Sequence, residues 1–307
     1  MPQEDSHLIF FDCDGNSDDL ITYLVMRRIP SIRLLGVNIL NADCRHEASF
    51  EALRRIEKAL GLTPLPCGVH PDEVPNPFPE LWRDDSIRFN SLRSLREVTK
   101  PTERPDYAED LFVQSLRRAD RPVTVICTGP LTVIARTLAR RPRLAEKIKE
   151  LVIMGGAIRV AGNVTHAGTD GTAEWNVYAD PESFAAVLQT NVPILLIPLD
   201  VTNKIPVNGR LKQAVGELCA TSLAARICHE MWSMQEGQDL YLWDVTTALA
   251  LVRPDCFLFD RIDIAIQLEG ESLGRLHEVP SSKGREIECA FSCDAEQIID
   301  FVLKILS

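Results

Sequence analysis

The feature that most constrains the fold is an alternation along the chain. Short, uniformly apolar runs are followed by polar loops and then by stretches whose apolar residues recur at helical spacing. Strands that are apolar on both faces belong in a sheet covered on both faces. The predicted strands are residues 8–12, 34–39, 123–128, 151–154 and 194–199. The helical stretches between them are residues 18–28, 46–60, 107–119, 131–139 and 181–188. This order predicts an α/β fold on a mostly parallel, doubly wound sheet.

The last third of the sequence is richer in helical patterns. It predicts one more strand at 262–266 and helices at 209–223, 224–234, 245–252 and 295–306. Two proline-rich segments, 74–79 and 100–105, are predicted to be extended surface loops and not a linker between domains. No internal repeat interrupts the 307 residues. We therefore expect a single domain over residues 1–307, with a Rossmann-like sheet and extra C-terminal helices.

The composition excludes several classes of protein. The chain has 33 Lys and Arg against 44 Asp and Glu, a net charge of −11, which repels nucleic-acid phosphates and anionic lipids. Its longest apolar run is far below the ~20 residues of a transmembrane helix, and its start lacks a signal-peptide pattern. The nine cysteines form no CxxC pair and are expected to be reduced thiols. We expect a cytoplasmic protein that binds neither nucleic acid nor membrane.

An acidic cluster follows the first predicted strand. The sequence DCDGNSDD at residues 12–19 holds four carboxylates within eight residues, and these repel one another unless something neutralises them. Hard cations such as Ca²⁺ and Mg²⁺ take several oxygen ligands, which one tight loop can provide. Alternatively, Asp18 and Asp19 lie in the first turn of a helix, where the dipole favours them, and Asp14-Gly15-Asn16 forms a turn. Ligands of open α/β sheets bind beyond the carboxyl ends of strands, so this loop is a candidate site.

Two families share this opening. The sequence FDCDG at 11–15 resembles the first motif of the haloacid-dehalogenase-like phosphatases, in which Asp12 would be the phosphorylated nucleophile. That family follows the glycine with Thr or Val, whereas Asn16 stands here. The late acidic candidates, Asp255 and Asp260, also lack its GDxxxD pattern. A phosphatase that uses Asp12 is therefore the less favoured alternative.

The second resemblance extends over most of the chain. The DxDGNxDD segment resembles the signature of the calcium-dependent nucleoside hydrolases, and further matches follow in the same order to beyond residue 244. They are NADC at 41–44, NPFP at 76–79, TGPL at 128–131, VIMGGA at 152–157, GNV at 162–164, DGTAEWN at 170–176 and WD at 243–244. The DGTAEWN stretch and the NPFP element leading to Trp82 resemble the purine-preferring branch, which cleaves inosine, adenosine and guanosine.

This resemblance implies a metal site and a reaction. Carboxylates of Asp14, Asp19 and Asp244 and the main-chain carbonyl of Thr128 would ligate Ca²⁺, with Asp18 beside the ion. Asp14 would be the general base that deprotonates a Ca²⁺-bound water, and that water would attack C1′ of the ribose. The products would be ribose and the free base, and the whole stretch 1–307 would form one catalytic domain.

The resemblance also implies a substrate site for a small nucleoside. Ribose would be bound by Asn16, Asp18, Met154, Asn163, Glu174 and Asn176. Taken alone, Asn163 and Asn176 could equally serve turns or caps. Trp82 and Trp243 would stack on either face of the base, and Asp43 would contact its edge. Pyrimidine-tolerant members carry a His at the position of Trp243.

The favoured function is thus hydrolysis of purine ribonucleosides. A nucleoside hydrolase of broader specificity, which also accepts pyrimidines, stays open, as does a non-catalytic nucleoside-binding protein. The segment 234–241 is predicted to be short for a flexible lid, and His166 is predicted to be an ordinary surface histidine. Members of the purine-preferring branch are often dimers, so a homodimer is possible.

Overall fold

The computed structural model describes residues 6–307, and the elements below lie within that range. The strands are β1 (His7–Cys13), β2 (Ile32–Asn41), β3 (Cys67–Glu73), β4 (Asp106–Tyr107), β5 (Val123–Cys127), β6 (Ile148–Met154), β7 (Ile194–Ile197), β8 (Phe257–Ile266), β9 (Leu276–Glu278) and β10 (Arg285–Cys293). The helices are α1 (Ser17–Met26), α2 (His46–Ala59), α3 (Glu80–Arg83), α4 (Asp85–Phe89), α5 (Ala108–Arg118), α6 (Thr132–Arg140), α7 (Trp175–Ala179), α8 (Pro181–Leu188), α9 (Leu199–Thr202), α10 (Gly209–Leu218), α11 (Leu223–Met234), α12 (Trp243–Val252) and α13 (Ala295–Leu306). Two 3₁₀ helices occupy Pro142–Lys147 and Pro254–Cys256 in the same range.

The strands of the described chain form one sheet in the order β4-β3-β2-β1-β5-β6-β7-β10-β8-β9. Strands β1 to β7 are parallel, and β10 pairs parallel with β7. The edge of the sheet beyond β10 is antiparallel. Strand β8 runs antiparallel to β10, and β9 runs antiparallel to β8. From β1 the chain adds strands outward to β4 and then returns to add β5 on the other side of β1. The β1–β5 boundary is therefore the point at which the strand order reverses.

The two faces of the sheet carry separate hydrophobic cores. On β1, Ile9 and Phe11 belong to one core, and Leu8 and Phe10 belong to the other. Side chains alternate along a strand, so a strand that is apolar throughout must be covered on both sides. This burial explains the uniformly apolar runs of the sequence, and the predicted single-domain, mostly parallel α/β fold is confirmed.

The strands that the sequence did not predict are those with polar residues. Strand β10 reads REIECAFSC and alternates exposed glutamates with buried Ile287 and Cys289, as expected of a strand near an antiparallel edge. Strand β3 contains Gly68, His70 and Pro71, which broke the apolar pattern. The predicted helix 209–223 ends at Leu218, because the Ser222 hydroxyl accepts the N–H of Ala225 at 3.2 Å and starts a new helix.

The two proline-rich segments are loops, but they differ in burial. Residues 100–105 are largely exposed, as predicted. The prediction of a surface loop was wrong for two residues of 74–79, because Val74 and Phe78 are only 4% and 6% exposed. Both side chains pack in a small cluster with Trp175, which needs apolar cover. This loop therefore forms part of an internal wall.

Two further observations concern residues 6–307. No helix in this range is long and apolar enough to cross a membrane. All nine cysteines lie in the same range as free thiols, most of them buried.

Gly68 provides a test of the close packing of β3 on α5. A Cβ at this position would lie 2.6 Å from Asn38 Oδ1 and 2.8 Å from Ala108 Cα, so a methyl group forces the strand and helix apart. We expect Gly68→Ala to lower the free energy of unfolding by about 1–3 kcal/mol, measured by urea denaturation. Gly209→Ala is the control, because nothing lies within 4 Å of that Cβ and alanine favours helix. Equal denaturation midpoints for the two variants would contradict this packing.

Candidate active site

The polar residues of the site lie beyond the carboxyl ends of β1 and β5, where the strand order reverses. The loop after β1 turns at Gly15, which has φ +77°, and a Cβ there would lie 2.7 Å from Ile39 Cγ2. Asn16 then caps α1, and Asp19 accepts the N–H of Asn16 at 3.0 Å in a capping box. The turn and the helix start expected for this loop are both present, and together they hold its aspartates at the end of the sheet.

Four carboxylates meet at this point. Oxygen atoms of Asp18, Asp19 and Asp244 lie within 4.8 Å of one another, although Asp244 is brought there by α12, far along the chain. Asp14 is 4% exposed, and its Oδ2 is buried without a hydrogen-bond partner. The hydroxyl of Thr128, just after β5, donates to Asp19 Oδ1 at 2.5 Å. The tertiary structure thus unites the four aspartates of the predicted metal site with Thr128.

Burial makes the ionised form of this cluster costly. It raises the pKa of Asp14 and Asp244 well above the ordinary carboxyl range, and the charges of neighbouring aspartates raise it further. Burial, and then the charge of Asp19, raises the pKa of Asp18 to about 7. A hard divalent cation would offset this repulsion and would occupy the unpartnered oxygen of Asp14. The residues therefore fit such a cation, with Asp14, Asp18, Asp19, Asp244 and the Thr128 carbonyl as possible oxygen ligands.

A second polar group adjoins the acidic cluster and comes from α7 and the loop before it. Both carboxylate oxygens of Glu174 accept backbone N–H groups, from Asn176 at 2.9 Å and from Gly156 at 2.9 Å. The amide nitrogen of Asn176 donates to the carbonyl oxygens of Thr128 at 3.2 Å and Met154 at 3.3 Å. Asn176 thus contacts the carbonyl predicted to bind the metal.

Asn163 and Asn176 also make hydrogen bonds to the backbone, which agrees with their alternative interpretation as turn or cap residues. The side-chain oxygen of Asn163 accepts the N–H of Trp175 at 3.0 Å, so Asn163 and Asn176 each fix a nearby loop as well as facing the cavity. The amide nitrogen of Asn16 donates to Asp43 Oδ2 at 2.9 Å and to its carbonyl at 3.0 Å. This pair ties the loop after β1 to the loop after β2.

Aromatic side chains flank the remaining part of the cavity in two groups. Trp82 packs edge-on against Trp175 at 5.5 Å, and Trp175 stacks on Phe78 at 5.0 Å. In the second group, the rings of Trp243 and Tyr241 lie 5.3 Å apart. The two tryptophans predicted from the sequence are therefore held by different elements, α3 and α12, at one cavity.

The cavity has a volume of about 500 Å³. Every residue proposed from the sequence for the metal, the ribose or the base lines it, except Asp19, which is buried beside the cluster. These lining residues are Asp14, Asn16, Asp18, Asp43, Trp82, Thr128, Met154, Asn163, Glu174, Asn176, Trp243 and Asp244. His166 is exposed and does not line the cavity, although its ring lies 5.8 Å from that of Trp175.

Several lining residues were missed by sequence reasoning. They are Ser17, Phe78, Thr165, Trp175, Asn203, Trp232, Gln235, Gln238, Asp239, Leu240 and Tyr241. The segment 235–241 precedes Trp243 and Asp244 directly, and this proximity was the available signal. The buried carboxylate of Asp85 holds the segment, since its Oδ2 accepts the amides of Gln235 and Gln238, each at 3.2 Å. The short segment predicted to be a poor lid is thus a fixed part of the wall.

The phosphatase alternative fails on the position of Asp12. This side chain is 1% exposed and does not line the cavity, and it accepts the amide of Asn38 at 2.9 Å inside the sheet. A phosphorylated nucleophile must be accessible to its substrate, so Asp12 is a structural residue.

The fold and the site together define an α/β protein with an acidic, oxygen-lined cluster, suited to a hard cation, at the switch point of a parallel sheet. The family model described as inosine-uridine preferring nucleoside hydrolase matches residues 9–300, and the chain belongs to this family. Enzymes of the family are metal-dependent hydrolases of the N-glycosidic bond of nucleosides. The chain is therefore a nucleoside hydrolase that acts on a small molecule.

Known relatives differ in the substrate that their names state. The chain is 32% identical over 275 residues to the pyrimidine-specific ribonucleoside hydrolase RihA of Escherichia coli O157:H7, covering 86% of this chain and 85% of RihA. The crystal structure of the inosine-uridine preferring nucleoside hydrolase of Bacillus anthracis is similar with a TM-score of 0.89 and 30% identity, covering 98% and 99% of the two chains. The purine-preferring ribonucleoside hydrolase of Gardnerella vaginalis shares the fold, with a TM-score of 0.78 and 19% identity, covering 97% of each chain.

Asp244 allows a test of the metal cluster by stability. In protein treated with EDTA, we expect Asp244→Asn to raise the free energy of unfolding, on the order of 1 kcal/mol, because one of the repelling buried carboxylates is removed. We also expect CaCl₂ to raise the melting temperature of the unmodified chain, and this variant to lose that rise. Both effects are measured by thermal denaturation.

Asp260→Asn is the matched control for this test, because Asp260 is an exposed aspartate on β8. It should keep the full response to CaCl₂. An undiminished response in Asp244→Asn would show that the cation binds elsewhere.

Proposed function

We propose that the protein hydrolyses purine ribonucleosides in preference to pyrimidine ribonucleosides, with Ca²⁺ as its metal ion. The observation that carries this proposal is the position of Trp243 immediately before Asp244. An indole thus stands beside the acidic cluster, and Trp82 lines the same cavity from another element. We further propose that the stretch 1–307 acts as one catalytic unit in the cytoplasm, where thiols stay reduced.

Asp14, Asp19, Asp244 and the carbonyl of Thr128 are the proposed ligands of Ca²⁺, with Asp18 beside the ion. An oxygen-only donor set suits this hard cation. When bound, the ion supplies positive charge that lowers the pKa of a water molecule and orients the ribose hydroxyls. The preference for Ca²⁺ over Mg²⁺ rests on the number of oxygens that these residues can offer.

Asp14 is the proposed general base. Asp14 lies on the cavity wall, and as a ligand of the ion its carboxylate would lie next to the attacking water, so it has the reach to take the proton of that water. The water oxygen bonds to C1′ while the C1′–N bond breaks and its electron pair goes to the base. The surrounding carboxylates stabilise the positive charge that develops on the ribose.

The ribose is assigned to the polar end of the cavity. Asn16 and Asn176 lie beside the acidic cluster and suit the 2′ and 3′ hydroxyls, with Met154 under the sugar. Asn163 and Glu174 suit the 5′ hydroxyl, because both reach the cavity from the loop and helix cap around α7. Carboxylate and amide groups supply the acceptors and donors that a sugar needs.

The base is assigned to the aromatic end, between Trp82 and Trp243, with Asp43 as a contact at its edge. A purine offers more ring area for stacking than a pyrimidine, which favours purines at such a site. The second candidate is a hydrolase that also accepts pyrimidines. It is supported by the similarity to RihA, whose name states pyrimidine specificity.

The first test measures free ribose from purified protein with inosine or uridine. We expect release from inosine, much slower release from uridine, and loss of both with EDTA until CaCl₂ is restored. Equal rates on the two nucleosides would favour the broader specificity. No ribose from either nucleoside in the presence of Ca²⁺ would contradict the proposed activity.

Trp82 tests the purine preference directly. Since stacking of an aromatic pair contributes about 0.5–1.5 kcal/mol beyond area burial, we expect Trp82→Leu to raise KM for inosine by about 3–10-fold and KM for uridine by less. Steady-state kinetics on both nucleosides give the comparison. Leu81→Ala is the control, because its side chain is the exposed neighbour on α3 and does not line the cavity. An equal rise in KM for both bases in Trp82→Leu would contradict a selective contact.

A further inference from the structure

We infer that Asn203 contacts the leaving base in this site: its amide oxygen fixes the indole of Trp243, and its NH₂ group donates a hydrogen bond to the base. This inference rests on the proposed function, because it assigns a further residue to the same cavity. Asn203 lines the cavity and carries no motif that singled it out in the sequence.

Asn203 is held in place by the fold. It caps the short helix α9, whose first residue, Leu199, donates its N–H to the carbonyl of Gly156 at 2.9 Å. The segment that follows α9 pairs with the segment before α12. Leu242 N–H donates to Ile205 O at 2.9 Å, and a β-bridge joins Pro206 to Tyr241. Backbone pairing therefore fixes the distance between Asn203 and Trp243.

The hydrogen bond to Trp243 determines the orientation of the amide. Trp243 Nε1 donates to Asn203 Oδ1 at 2.9 Å. An indole N–H can only donate, so the partner atom must be the amide oxygen. The NH₂ group is the other branch of the same amide and has two hydrogens to donate. Asn203 therefore offers the cavity a neutral donor in a defined orientation.

Position assigns this donor to the base and not to the ribose. Asn203 touches Trp243, at the aromatic end of the cavity, whereas Asn163, Glu174 and Asn176 mark the ribose end. The side chain is also exposed, so a ligand in the cavity can reach it. The amides on the neighbouring wall segment are engaged elsewhere, because Gln235 and Gln238 both donate to Asp85.

The NH₂ group of Asn203 would stabilise the leaving base during the reaction. As the C1′–N bond breaks, its electron pair moves to the base, whose ring nitrogens and carbonyl oxygens gain negative charge. A preorganised N–H donor stabilises charge that develops in the transition state. The amide keeps its own hydrogens, so the proton that neutralises the base comes from solvent. Asn203 thereby lowers the barrier to departure of the base without acting as an acid.

Two variants separate the two roles of the amide. Asn203→Asp keeps an oxygen acceptor for the indole and removes the donor, whereas Asn203→Ala removes both. Inosine is compared with p-nitrophenyl β-D-riboside, whose leaving group departs without assistance. We expect Asn203→Asp and Asn203→Ala to lower kcat on inosine by about 10–100-fold and to change kcat on the nitrophenyl riboside by less than about threefold.

Three further measurements test this interpretation. The indole N–H resonance of Trp243, assigned with Trp243→Phe, should stay at the downfield position of a hydrogen-bonded proton in Asn203→Asp and move upfield in Asn203→Ala. Lys204→Gln changes the net charge by the same amount as Asn203→Asp, next to it in the chain and off the cavity wall, and should leave both rates within about twofold. Tyr241→Phe tests the phenolic hydroxyl as the rival donor.

The outcomes separate this inference from the proposed function. An Asn203→Asp variant that hydrolyses inosine like the unmodified chain would leave only a structural role for Asn203 and would overturn the inference. A parallel loss on both substrates, or a selective loss in Tyr241→Phe in place of the Asn203 variants, would overturn it too. If the unmodified chain releases no ribose from any nucleoside, the proposed function fails, and the inference fails with it.

Discussion

The mutual repulsion of buried carboxylates at the ends of β1 and α12 is the constraint on which the rest of the site depends. Four aspartates share a space in which each raises the cost of ionising the others, and the side chain of Asp14 has an oxygen without a partner. A fold would not retain this arrangement for stability, since burial of unpaired charge is among the most costly things that a protein can do. A cation would neutralise this repulsion, and under the proposed function it would also organise the ribose.

Hydrogen bonds from neighbouring residues fix the position of the acidic cluster. Asn16 caps α1, Thr128 donates to Asp19, and Asn176 donates to the carbonyl of Thr128. Hydrogen bonds of this kind fix the proposed metal ligands before substrate binds, which is what preorganised electrostatic catalysis requires. The aromatic end of the cavity follows the same principle, because backbone pairing between two segments and a side-chain hydrogen bond hold Trp243.

Much of the fold was predictable from the sequence, and the failures have one physical cause. Uniformly apolar strands such as β1 and β7 are buried on both faces and can be recognised without the structure. Strand β10 lies next to the antiparallel edge, where Glu286 and Glu288 face solvent, and its alternating pattern was not recognised. In the site, the motif residues were predicted from their resemblance to a family. Residues such as Asn203 and Gln238 stand in no motif, and only proximity in space joins them to the cavity.

The sequence by itself determined the sheet-and-helix alternation, the acidic loop after β1 and the set of polar and aromatic residues available for chemistry. These are local properties, because hydrophobic period, turn residues and helix caps act over a few residues. The tertiary structure decided that Asp244 joins that loop, that Asp12 is buried in the sheet, and that residues 235–241 form a wall. Such contacts depend on how distant segments pack, and packing is a property of the whole core that no local pattern contains.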